Sequence, residues 1–114
     1  MVDDREDNVV LLQCILSAAG YAVETATSGV SALEKVQRSP PDLVLLDVMM
    51  PGMDGFEVTR QLRRNDRLPS IPIVLVTAAQ EISLQQALSV GANDYIAKPI
   101  DLDQLLETVR AWCG

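Results

Sequence analysis

Histidine is absent from the 114-residue chain. Its absence excludes His-based catalytic triads, most catalytic zinc sites and an internal phosphohistidine. Cysteine is nearly as scarce. Cys14 and Cys113 stand near opposite ends with no ligand-like spacing, which argues against a disulfide framework or a metal cluster and fits a reducing compartment. Aromatic residues make up 4% of the chain and no glycine-rich phosphate loop accompanies them, so there is little from which to build a flavin or nucleotide site. No apolar run approaches the ~18 residues of a membrane span. The acidic N-terminus lacks the basic start and apolar centre of a secretory signal, so the expectation is a soluble, cytoplasmic protein with no membrane partner.

Positive charge is also in deficit: 9 basic against 16 acidic residues give a net charge of −7. Scattered acidity of this kind argues against nucleic acid as a direct partner. The one basic cluster, Arg60, Arg63, Arg64 and Arg67, falls on a helical pattern and is expected to be a solvated face. Hydrophobic residues make up 48%, enough for one core, and the length leaves no room for a second domain, so residues 1–114 are expected to form a single domain.

Short apolar runs alternate with amphipathic stretches along the chain. The runs are Leu43 to Leu46, Ile73 to Val76 and Tyr95 to Ala97, with a half-buried strand at Tyr21 to Ala26. Between them Val9, Leu12, Leu16 and Ala19 recur at helical spacing, as do Val30, Leu33 and Val36, then Leu84, Leu88 and Gly91, then Leu102, Leu105, Val109 and Trp112. Phe56 to Arg64 adds a fifth helix. Asp54 with Glu57, Ser83 with Gln86 and Asp101 with Gln104 read as capping boxes, while Gly20 and Gly91 suit left-handed helix ends. This alternation predicts a doubly wound parallel α/β sandwich. Only Met1 and Val2 precede Asp3 and Asp4, so the first strand reads as truncated.

Ligands of an open parallel sheet gather where strands end at their carboxyl edge. Asp47, Thr77 and Lys98 each follow an apolar run directly, and Asp3 and Asp4 follow the remnant of the first. One edge would then carry three carboxylates, a hydroxyl and an ammonium. Carboxylates about 4 Å apart repel by roughly 4 kcal/mol at an effective dielectric near 20. A small hard cation relieves that repulsion, and Mg²⁺ favours one or two carboxylates plus water and phosphate oxygens. Such a group can position a phosphoryl group and neutralise its oxygens.

Val2-Asp3-Asp4, the run from Leu45 through Asp47, Pro51 and Gly52 to Gly55, Val76-Thr77-Ala78, and Asp94 to Pro99 together resemble the signature of response-regulator receiver domains. The resemblance covers essentially the whole chain. It implies a flavodoxin-like sheet of order 2-1-3-4-5 and phosphorelay signalling through phosphorylation of Asp47. It further implies a Mg²⁺ or Mn²⁺ ion held by Asp3, Asp4, Asp47 and the backbone carbonyl of Met49, and phosphoryl contacts from Thr77 and Lys98 with Ala78 beside an entry path. The Lys98 to Pro99 peptide bond would be cis. Thr77 and Tyr95 would form the switch that alters the surface of the fourth helix, fifth strand and fifth helix.

The partners implied are a histidine kinase or histidine phosphotransfer protein, a downstream effector protein or domain, and a second copy in a homodimer. The chain would catalyse its own phosphorylation and slow dephosphorylation without being a multiple-turnover enzyme. A haloacid-dehalogenase-like phosphatase would carry a second Asp where Met49 stands. A degenerate receiver serving as a protein-binding scaffold would keep the fold and lose the chemistry; the short N-terminus is the feature favouring it. Residues from a longer chain or a neighbouring copy are the expected completion of the first strand.

Overall fold

The computed structural model describes residues 1–2, 5–50, 52–78 and 84–113. The readings placed on Asp3, Asp4 and the Ser83 cap, and on the side chain of Ala78, lie outside what it describes. Among the described residues three parallel strands form the sheet, β1 (Val44–Asp47), β2 (Ile73–Ala78) and β3 (Asp94–Lys98), hydrogen-bonded in that order. Among the described residues five helices accompany them: α1 (Glu6–Ala18), α2 (Gly29–Arg38), α3 (Gly55–Arg64), α4 (Leu84–Ser89) and α5 (Leu102–Cys113).

Side chains alternate across a strand, and β1 shows the result. Leu45 joins Leu12, Leu16, Val74, Ile96, Leu105 and Val109 on the α1 and α5 face. Val44 and Leu46 join Ala32, Val36, Val58, Ile73 and Leu75 on the α2 and α3 face. Leu46, Ile73, Leu75, Ile96 and Leu105 have no exposed surface, and each contributes roughly 1.5–3 kcal/mol by leaving water.

Between these faces the first two strands are reduced to single bridges. Val2 pairs in parallel with Leu46 on one side and with Ala26 on the other. Counting Ala26 and Val2 as the second and first strands, the order reads 2-1-3-4-5. The expected strand at Tyr21 to Ala26 therefore forms no ladder beyond Ala26. Its alternation survives: Tyr21, Val23 and Thr25 are half-buried while Ala22 and Glu24 are exposed. The cause is the neighbour, since a strand can hydrogen-bond only as far as its partner extends.

Helix phase also departs from expectation. Val30, Leu88 and Leu102, read as inward, are 57%, 52% and 50% exposed. Gly29 and Ala32 in α2 and Ala87 in α4 face the core instead, because close approach of helix to sheet or helix selects small residues that hydropathy ranks low. Trp112 at the end of α5 is 36% exposed and its indole N–H donates to the Asp94 carboxylate at 3.5 Å. The short acceptor of each cap acts as read where described. Asp54 accepts from the Glu57 amide at 2.9 Å, and Asp101 from the Asp103 and Gln104 amides at 2.8 and 3.1 Å. Gly20 and Gly91 take φ of 98° and 103°, left-handed values that glycine adopts without strain.

Candidate functional site at the carboxyl edge of the sheet

β1 ends on Asp47, whose amide donates to the Val2 carbonyl at 2.8 Å while its carboxylate stands at the sheet edge, 3% exposed. A buried carboxylate requires compensation. Lys98, ending β3, brings its Nζ to 3.3 Å from Asp47 Oδ1, and the Met49 amide donates to the same oxygen at 3.4 Å. At this separation the attraction between the charges is roughly 5 kcal/mol at an effective dielectric near 20, much of it offset by desolvation of the carboxylate. Lys98 remains one-third exposed along its side chain, so the ammonium can follow a charge arriving from solvent.

The two charges lie on different strands, and β2 runs between them. Register fixes their neighbours: Asp47 pairs with Val76, Thr77 with Ala97 and Ala78 with Lys98. Thr77, 1% exposed, thus sits one residue past the partner of Asp47 and one before the partner of Lys98. Among the described residues no buried side-chain nitrogen or oxygen lacks a partner. The Lys98–Pro99 peptide bond is cis. Tyr95, three residues before Lys98 and paired with Leu75, packs half-buried against the α2 and α3 core.

Gly55 packs against the backbone that carries Asp47, a close approach that sequence reasoning passed over. A Cβ there would stand 2.5 Å from the Asp47 carbonyl oxygen and 2.8 Å from Val48 Cα. The Gly55 amide donates to the Val48 carbonyl at 2.9 Å, tying the start of α3 to the loop after the carboxylate. The helix entry at Asp54-Gly55 was legible; the close backbone approach was not.

Arg63 corrects a second reading. Arg60, Arg64 and Arg67 are exposed, but Arg63 donates to the carbonyls of Gly91 and Ile71 at 2.8 and 2.7 Å and to Asn93 Oδ1 at 2.8 Å. Burial lowers its pKa below the ordinary arginine value. It is a structural clasp rather than part of a solvated face.

Of the residues singled out in the sequence, the structure brings Asp47, Thr77 and Lys98 together. Among the described residues no cluster of three or more metal-ligating His, Cys, Asp or Glu side chains occurs; Asp3 and Asp4 are outside that set. No described helix is long and apolar enough to cross a membrane.

The family model described as "Response regulator receiver domain" matches residues 1–110. The chain is 47% identical over 112 residues to the response regulator PleD of Caulobacter vibrioides, covering 97% of this chain and 25% of PleD. It is 47% identical over 111 residues to the response regulator MprA of Mycobacterium leprae, covering 96% of this chain and 48% of MprA. The structure of Vibrio cholerae chemotaxis protein CheY4 matches with a TM-score of 0.88 at 35% identity, covering 97% of this chain and 93% of that one. The chain thus spans a quarter to about half the length of these curated relatives.

Proposed function

Because the chain belongs to the response regulator receiver domain family, whose members accept a phosphoryl group from a histidine kinase in phosphorelay signalling, we propose that Asp47 is the residue phosphorylated. The observation that carries this reading is the contact of a buried carboxylate with an ammonium across the sheet edge, Asp47 Oδ1 to Lys98 Nζ at 3.3 Å. An Asp47 oxygen forms the new bond to phosphorus as the P–N bond of the donor phosphohistidine breaks, its electron pair going to the imidazole nitrogen. Lys98 neutralises charge on the transferred group, and the Thr77 hydroxyl is a second donor to its oxygens. Intact-mass measurement after incubation with Mg²⁺ and acetyl phosphate tests this. One phosphoryl adduct is expected in the parent and none in Asp47→Asn; an adduct that persists in the variant overturns the assignment.

The donor set fits a hard cation: a carboxylate at Asp47, the Met49 carbonyl in the loop after it, and two carboxylates at Asp3 and Asp4, which follow Val2 directly. Oxygen donors of this kind suit Mg²⁺ or Mn²⁺. Such an ion would neutralise phosphoryl oxygens when bound. Ala78, next to Thr77, is read as leaving the entry path. Thr77 and Tyr95 are read as the switch, the hydroxyl moving toward the phosphoryl group and the ring following, with the altered surface formed by α4, β3 and α5.

On this reading residues 1–114 act as one receiver domain in the cytoplasm, catalysing their own phosphorylation and slow dephosphorylation without turning over an external substrate. The partners are a histidine kinase or phosphotransfer protein and a downstream effector; a homodimer is one form the output can take. With a net charge of −7, any contact with nucleic acid would belong to another domain or protein.

A further inference from the structure

α4 is the shortest helix among the described residues, six residues against ten to thirteen in the others. An isolated helix of that length is marginal in water. Its place is therefore set by what ties it down. Ala87 and Ala92 seat it on the core between the sheet and the α2 and α3 face, while Leu88 beside them is exposed.

The C-terminal end is tied several times over. The Gly91 amide donates to the Leu88 carbonyl at 3.1 Å and the Ala92 amide to the Ala87 carbonyl at 3.0 Å, closing the last turn over a glycine in the left-handed region. Arg63 Nε then donates to the Gly91 carbonyl at 2.8 Å, while Nη1 and Nη2 reach the Ile71 carbonyl and Asn93 Oδ1 at 2.7 and 2.8 Å. Asn93 is itself bound to the start of β2 in both directions. Its Oδ1 accepts from the Ile73 amide at 2.9 Å, and its amide donates to the Ile73 carbonyl at 2.7 Å. A Cβ on Gly91 would stand 2.8 Å from Arg63 Cγ, so the arginine stem lies directly on the turn it clasps. One guanidinium thus joins the turn after α4 to the end of α3 and the foot of β2, through bonds that its charge strengthens.

The other end of α4 answers to a different part of the molecule. Leu84 follows in the chain from the edge where β2 carries Thr77 and ends on Ala78, opposite Lys98. A short helix held at one end and displaced from the other can only swing. We propose that Arg63 is the hinge pin of α4, fixing its C-terminal turn to α3 and β2, so that displacement arising at the carboxyl edge of the sheet is largest at Leu84 and dies out by Gly91. The source of that displacement rests on the reading of Thr77 as part of a switch. The pin itself is in place with Asp47 unmodified. Without it the C-terminal turn is free to follow, and the change spreads through Asn93 to the entry of β3.

The test compares the parent chain with Arg63→Met, which keeps a stem over Gly91 and removes every donor, and with Arg64→Met at the exposed neighbour. Without phosphorylation, hydrogen exchange at the Gly91 and Ala92 amides, measured against the core amide of Leu75, is expected to quicken roughly tenfold in Arg63→Met. Arg64→Met should leave it unchanged. With acetyl phosphate and Mg²⁺, amide resonances of the parent should shift most at Leu84 to Ala87 and least at Gly91 to Asn93, whereas in Arg63→Met the shifts extend through Asn93. Unchanged exchange in Arg63→Met, or parent shifts at Gly91 to Asn93 as large as those at Leu84 to Ala87, overturns the proposal. No mass adduct, or an adduct with no shift anywhere in α4, overturns the phosphorylation or switch reading instead, and the exchange comparison then decides the pin alone.

Discussion

A hydrogen atom is all that Gly55 can present to the backbone of Asp47. Since both atoms crowding an added Cβ are main-chain atoms, at 2.5 and 2.8 Å, neither can swing aside. Gly55→Ala should cost about 1–3 kcal/mol in urea unfolding and should also slow acetyl-phosphate labelling, because α3 can yield only by shifting the strand end that carries the carboxylate. Lys98→Ala should reduce the phosphoryl adduct read by mass spectrometry while Asp47 is still present, since the ammonium 3.3 Å away is removed. One residue before the Val2 bridge to β1, burial lowers the Met1 amino group to about 6, with Glu24 opposing and Lys35 assisting. Between pH 6 and 8 the unfolded chain holds a proton that the folded chain has released. Stability should therefore rise with pH across that window, by an amount on the order of 2 kcal/mol, and sit at its lower level below it. With no histidine in the chain the background is flat there. Urea midpoints at pH 6 and 8, with an N-acetylated control expected to show no slope, measure it.

Elements are joined by Arg63 more than by its helix. Its guanidinium reaches the Gly91 and Ile71 carbonyls and Asn93 Oδ1, and that same oxygen accepts from the Ile73 amide at 2.9 Å. The end of α3, the entry to β2 and the turn before β3 are thereby held by one side chain. Arg63→Ala leaves part-buried acceptors behind and should cost about 2–3 kcal/mol in thermal unfolding. Arg63→Lys should recover little, because a single ammonium cannot replace a fork of donors spread over three acceptors. Arg64→Ala, on the exposed side, should change stability by less than about 0.5 kcal/mol.

For the whole molecule, a phosphoryl group at Asp47 adds about −1.5 to −2 charges at one sheet edge. The far surface responds only as much as that group favours one arrangement over another. Tyr95 packs against the core beside Leu75, on the strand that also ends in Lys98; under the proposed switch it would link charge at the edge to α4 and α5. Amide resonances of α4, β3 and α5 should shift on treatment with acetyl phosphate and Mg²⁺ and stay put in Asp47→Asn. Tyr95→Ala should accept the phosphoryl group as the parent does yet lose the α4 shifts. Shifts confined to the loop after β1 would show that the edge and that surface are uncoupled.

Local signals in the chain were enough for the strands that carry Asp47, Thr77 and Lys98, for the caps at Asp54 and Asp101, and for the left-handed ends at Gly20 and Gly91. Each depends on a residue and its near neighbours: apolar runs bounded by turn residues, a short acceptor before an amide, a backbone without Cβ. Helix phase was misread at Val30, Leu88 and Leu102 because hydropathy cannot tell which face must come close, whereas Gly29, Ala32 and Ala87 fit where bulk does not. The clasp of Arg63 was invisible because its acceptors lie in distant parts of the sequence, and so was the closeness of Gly55 to Asp47. The distance between Asp47 and Lys98 likewise exists only after folding, since sequence sets which groups a chain carries and packing alone sets which of them meet.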